Sequence, residues 1–187
     1  MQTISRRYST ARNDIQDGDV LLWRHPRALT SLEISVSTRS VYSHASLAAW
    51  WGTALMNLET REWFGGRAVL LSHLVRANPG RIDVYQPHVT AQQRRATVCE
   101  MRQITGTPYG WSTIGKHLLL SLPIIRLFQP TPDNDTANGH LLVCSSAIAQ
   151  AYRLAKVDLV PNLSDWATTP GDLGRSSVLE YQFTLGA

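Results

Sequence analysis

The chain predicts an α+β fold, and three observations predict it. Strand-like apolar runs gather between residues 20 and 86 and return only at 178–185. Helical patterns follow one another at 90–106, 112–120 and 141–156. Strands and helices are thus grouped, without the regular strand–helix–strand alternation that builds a parallel sheet. At 187 residues the chain suits one domain with a core of its own.

Residues 1–16 form a polar lead-in, and the domain proper is expected over 17–187. Asp17-Gly18-Asp19 is a turn signal that opens a buried strand, Val20 to Trp23, which His25-Pro26 ends. Leu29 to Arg39 reads as a helix or as an irregular connection. Tyr42 to Trp51 is a strand, Gly52 starts a turn, and Ala54 to Thr60 is the next strand; Gly65-Gly66 closes that section. Val69 to Val75 reads as a strand leading into a helical turn. Arg81 to Gln86 alternates Ile82 and Val84 with polar neighbours and is stopped by Pro87.

From Thr90 the period becomes helical. Thr90 is the expected N-cap, Ala96, Cys99, Met101 and Ile104 are expected to share an apolar side, and Gly106 stands at the end. Thr107 to Trp111 is a turn, Ser112 caps a helix through Leu120, and Gln129 to Gly139 carries turn chemistry throughout. The stretch around 112–139 thus reads as an apolar insert. Leu141 to Lys156 is the strongest helix, starting around Cys144, and Val178 to Leu185 is the final strand.

Composition narrows the function classes. A hydrophobic share of 43% with 17% charged residues describes an ordinary globular protein. The net charge is +4 and the isoelectric point about 9.4, but Arg6-Arg7 and Arg94-Arg95 are the densest basic runs. A solvated basic face is therefore expected, with no nucleic-acid partner. Met1 to Asp19 lacks the apolar segment of a secretory signal. The longest apolar stretch, Leu118 to Phe128, is interrupted by Ser121, Pro123 and Arg126 and is about half the length that spans a bilayer. A protein soluble and cytoplasmic as synthesised is expected, with peripheral membrane contact left open. Two cysteines make no disulfide framework, and no Cys-x-x-Cys or His-x-x-x-His spacing occurs, so neither a metal nor another cofactor is expected.

Two motifs far apart carry the chemistry. Tyr42-Ser43-His44-Ala45-Ser46-Leu47 puts a histidine on a strand, and Leu141 to Ala147 puts Cys144 at a helix start. Imidazole can take a thiol proton and stabilise the thiolate. Backbone N–H groups at a helix start favour the same anion. Cys99, mid-helix, reads as packing. A base needs an orienting partner, and the strand after His44 offers Asn57 and Glu59, two apart and on one face; either is chemically suitable.

These residues resemble the permuted papain-like amidases of the NlpC type, in particular the YiiX/YaeF-like branch. The likeness runs in order through Asp17 to Leu22, Tyr42 to Leu47, Leu58-Glu59-Thr60 with Leu74, Tyr109-Gly110-Trp111, Cys144-Ser145-Ser146 and Thr169 to Leu173. Histidine before cysteine reverses the papain order, as this superfamily does. Ser146 departs from the family's usual glutamate, and Gly110 from its common aspartate.

The resemblance implies a circularly permuted papain-like fold, with an antiparallel sheet packed against the helix that carries the cysteine. It implies a cysteine hydrolase that cleaves a peptide or cell-wall amide through a thioacyl-enzyme. Cys144 would be the nucleophile, His44 the base and Glu59 its orienting partner, with Asn57 in reserve. Tyr42 would donate to the oxyanion, and Ser145, Tyr109 and Trp111 would line the substrate. A thiol hydrolase or acyltransferase acting on lipid acyl groups, and an inactive binding module, are the alternatives within the same fold. A cell-wall substrate would require delivery by a phage or secretion system.

Overall fold

The computed structural model describes residues 4–24, 40–61, 64–107 and 144–187. Seven strands form one sheet: β1 (Ser5–Arg7), β2 (Val20–Arg24), β3 (Tyr42–Trp51), β4 (Ala54–Arg61), β5 (Gly65–Leu70), β6 (Ile82–Pro87) and β7 (Leu179–Gly186). Their order across the sheet is β1-β7-β6-β2-β3-β4-β5. Every pairing is antiparallel except β1 with β7. The helices are α1 (Tyr8–Ala11), α2 (Leu71–Ala77), α3 (Ala91–Gln103), α4 (Cys144–Leu154) and α5 (Pro170–Leu173). This is a mixed α+β architecture, and the polar lead-in joins it as β1 and α1. The connection at 29–39, the residues Tyr109 and Trp111, the 112–120 helix, the 129–139 loop and the insert as a whole lie outside the described residues.

β2 explains why its sequence is apolar without a break. Val20 and Leu22 face one core, with Ala45, Leu47 and Leu58 of the sheet and Val98, Met101, Ile148 and Tyr152 of α3 and α4. Leu21 and Trp23 face the other, with Ile15, Leu55, Leu71, Val75 and Phe183. A strand covered on both faces loses the usual polar alternation. Each fully buried leucine contributes roughly 1.5–3 kcal/mol.

The Asp17-Gly18-Asp19 turn fastens these layers together. Gly18 has φ +83, which favours glycine. Asp17 Oδ1 accepts the Trp50 backbone N–H at 2.6 Å, tying the turn to β3. Asp19, fully buried, accepts from the Gln16 backbone at 2.9 Å and from Arg94 of α3 at 2.6 Å. The Tyr152 hydroxyl of α4 donates to the Gly18 carbonyl. One half of the Arg94-Arg95 basic pair is therefore turned inward as a structural cation.

α3 begins as its sequence predicts. Gln93 N–H donates to Thr90 Oγ1 at 3.2 Å, and Thr90 N–H donates to Gln93 Oε1 at 2.9 Å. Its buried side is Thr97, Val98 and Met101, and Cys99 is exposed. The expectation that Cys99 packs inside is corrected: it stands about 100° around the helix from Val98. A second correction concerns Gly65-Gly66, which begins β5 rather than closing the section. A Cβ at Gly66 would lie 1.9 Å from the Ile104 carbonyl oxygen, so only glycine lets the end of α3 lie on this strand. The strand expected from Val69 ends at Leu70, where α2 takes over. Among the described residues no helix is long and apolar enough to cross a membrane.

Candidate active site

The site forms where β3 and β4 part. Their ladder runs from Trp51↔Ala54 to Leu47↔Leu58, the last pair among the described residues. Beyond it β4 pairs only with β5, setting Glu59 opposite Arg67. On the other side β2 sets Trp23 opposite His44, and the two rings meet edge to face at 5.9 Å and 63°. In the gap, His44 Nε2 lies 2.7 Å from Glu59 Oε2. The other carboxylate oxygen, Oε1, accepts from Arg67 Nε at 2.8 Å and Nη2 at 2.6 Å. Glu59 is only 2% exposed, so this carboxylate is held from both sides.

Cys144 is the first residue of α4 and is partly exposed. The helix is anchored behind it. The Ser145 hydroxyl donates to the Thr168 carbonyl at 2.6 Å, Arg153 donates to Asp165 at 2.7 Å, and Tyr152 holds Gly18. α5 supports the neighbouring strand: Thr169 and Asp172 close a capping box, and Gly174 lies so near the Tyr42 ring that a Cβ there would come within 2.7 Å.

Electrostatics join the two elements. Burial alone would push the Cys144 thiol up. The charge and hydrogen bond of His44, with the backbone N–H groups of Ala45 and Ser145, outweigh it and hold the thiol below its ordinary value. Burial opposes charge on His44 as well. The thiolate charge and hydrogen bond of Cys144, then those of Glu59, raise the imidazole to about 9. Glu59 is also resisted by burial, but His44 and then Arg67 hold it down to about 2. With Nε2 on Glu59, Nδ1 is the ring nitrogen left for the sulfur. Each of these shifts is toward the charged form: thiolate on Cys144, imidazolium on His44 and carboxylate on Glu59.

Cys144, His44 and Glu59 are thus brought together. Asn57 is not part of this group. It is fully buried, and its Oδ1 accepts from the Ser46 hydroxyl at 2.5 Å, which in turn accepts from Trp23 Nε1 at 2.8 Å. The Tyr42 hydroxyl donates to Asp83 at 2.7 Å and lies 2.9 Å from the Tyr85 hydroxyl. Its one proton is committed there, so the oxyanion role expected of that hydroxyl is corrected. Ser145 turns its hydroxyl to Thr168 and offers Cys144 its backbone N–H instead. Tyr109 and Trp111 lie outside the described residues. Arg67 is the residue that sequence reasoning missed; the signal was its register opposite Glu59, hidden by the glycines that open β5. Among the described residues no three His, Cys, Asp or Glu side chains converge to hold a metal.

No family model matches this chain, and no curated protein matches it. Among solved structures it resembles the crystal structure of the metalloprotein YiiX from Escherichia coli O157:H7, of the family DUF1105. The TM-score is 0.62 and the identity 13%, over 91% of this chain and 97% of that one. At that identity the likeness speaks for architecture alone, and what it establishes is that this chain has a YiiX-like fold.

Proposed function

We propose that this chain is a cysteine hydrolase that cleaves an amide bond in a peptide or cell-wall peptide. The observation that carries this reading is the linked series Cys144, His44 and Glu59, with the thiol at a helix start and the imidazole bonded on its far side at 2.7 Å.

The chemistry follows from those roles. The Cys144 thiolate adds to the carbonyl carbon, and the carbonyl π electrons move to oxygen. The backbone N–H of Cys144, at the start of α4, stabilises the oxyanion. As the tetrahedral species collapses, the C–N bond breaks and the His44 imidazolium gives its proton to the departing amine. This leaves a thioester on Cys144 and a neutral imidazole. His44 then takes a proton from water, the oxygen attacks the thioester, and the C–S bond breaks to restore thiolate and imidazolium. Glu59 keeps Nε2 bonded throughout and favours the charged imidazole.

A metal does not suit this cluster. YiiX is described as a metalloprotein, but here Arg67 brings a guanidinium to 2.6 Å from Glu59, where its charge would repel a divalent cation. No step is routed through one.

The test is reaction with a cysteine-directed acyl probe, followed by mapping of the labelled residue. Label on Cys144 that disappears in His44→Ala is expected. Label confined to the exposed Cys99 would end the proposal.

A further inference from the structure

We infer that Arg67 is a positioning residue of this site: by filling one oxygen of Glu59 it leaves the other as the only one offered to His44, and so fixes the imidazole that serves Cys144. The inference rests on the hydrolase reading above.

Geometry carries it. The β4–β5 register puts Arg67 directly opposite Glu59. Its Nε and Nη2 converge on the same oxygen, Oε1, at 2.8 and 2.6 Å, while Oε2 stands 2.7 Å from His44 Nε2. The guanidinium also lies over the Phe64 ring, 4.8 Å from its centroid, so it is held from two directions. Its side chain is 26% exposed against 1% for Glu59, which places it between the carboxylate and solvent. Without Arg67 that buried carboxylate would lack its partners on Oε1. It would then swing toward water or take up a proton, and either change loosens its hold on His44. Among the described residues, the charged groups that shift Glu59 are His44 of β3 and Arg67 of β5, and the one that shifts Cys144 is His44.

Route and donor geometry separate positioning from mere charge. A guanidinium acting only as a point charge favours the thiolate whatever stands at position 59, and a lysine would replace it. Positioning acts through Glu59 and needs the two aligned N–H donors. The experiment is the pH dependence of iodoacetamide alkylation at Cys144, in a Cys99→Ser background so that one thiol reports. Arg67→Gln should move the midpoint up by about one pH unit and slow alkylation about tenfold at pH values below the wild-type midpoint. Arg67→Lys, which keeps the charge but supplies fewer aligned N–H donors, should lie between the two, and it carries the test if Arg67→Gln does not fold. In a Glu59→Gln background, Arg67→Gln should change the rate by less than about twofold, because its route has been removed. An unchanged or lowered midpoint, or a full effect in the Glu59→Gln background, would overturn the inference. A wild-type profile like that of a free thiol would instead overturn the hydrolase reading, and the inference with it; the unsubstituted protein alone decides that.

Discussion

Two polar rows cross β3 and β4 side by side. In one, His44, Glu59 and Arg67 form a charged series whose ends are open: the His44 and Arg67 side chains are 20% and 26% exposed. In the other, Trp23, Ser46 and Asn57 form a neutral series, with Ser46 and Asn57 fully buried. The same strands supply His44 and Ser46, two apart, and Glu59 and Asn57, two apart. Whether a row can do chemistry is decided by what lies at its ends: a titratable thiol and solvent for one, the core for the other. Trp23 belongs to both, since its indole N–H donates to Ser46 while its ring meets the edge of His44.

The largest effect expected lies at the thiol end of the charged row. Cys144→Ser should abolish turnover, because a neutral hydroxyl cannot supply the resting thiolate. His44→Ala should lower the rate by a factor on the order of 10² or more. A His44→Ala protein that still hydrolyses a short peptide amide at the wild-type rate would dissolve the distinction between the rows.

Glu59→Gln should lose less, about tenfold, and its signature is pH dependence. The competent pair is lost as pH rises through about 9, where His44 gives up its proton. It is also lost as pH falls through the depressed value of the thiol. The rate profile should therefore be bell-shaped, and Glu59→Gln should draw its basic limb down in pH. Stability has a separate window. A carboxylate held from its ordinary 4.5 down to about 2 contributes stability above pH 4.5 and loses it as pH falls toward 2. The gap in unfolding temperature between wild type and Glu59→Gln should close across that interval. A constant gap would mean that Glu59 is not ionised in the folded protein.

Much of the frame was legible in the sequence. β2, β3, β4, β6 and β7 follow from apolar runs, and α3 starts after Thr90, the expected N-cap. α4 starts at Cys144, as the helical pattern suggests. Cys144, His44 and the pair Asn57 and Glu59 stood out as candidates because their types are few and their settings distinct. What could not be read depends on contacts made across the fold. Gly66 looks like a turn residue and is a strand residue, because the Ile104 carbonyl presses against it. With β5 misread, Arg67 could not be set opposite Glu59. Cys99 looked buried because an exposed thiol and a packed one carry the same letter. Asn57 and Glu59 sit on one face, and only Ser46 and Trp23, taking the first, leave the second to His44.

Asn57 therefore supplies the smallest expected effect on activity and the sharpest control. Its Oδ1 satisfies the Ser46 hydroxyl in a place that water does not reach, and it carries no charge that His44 could use. Asn57→Ala should leave the rate and the pH profile near wild type. It should lower stability by about 1–3 kcal/mol, because Ser46 is left without its acceptor and a small cavity opens. Urea unfolding measures the second quantity and the Cys144 alkylation rate the first. Alkylation therefore tells the two variants apart: Glu59→Gln moves the alkylation profile as well as the unfolding midpoint, and Asn57→Ala moves the unfolding midpoint alone at neutral pH. If Asn57→Ala instead slowed alkylation as Glu59→Gln does, with the unfolding midpoint unmoved, the two rows would be one network, and the third residue would have to be sought in both.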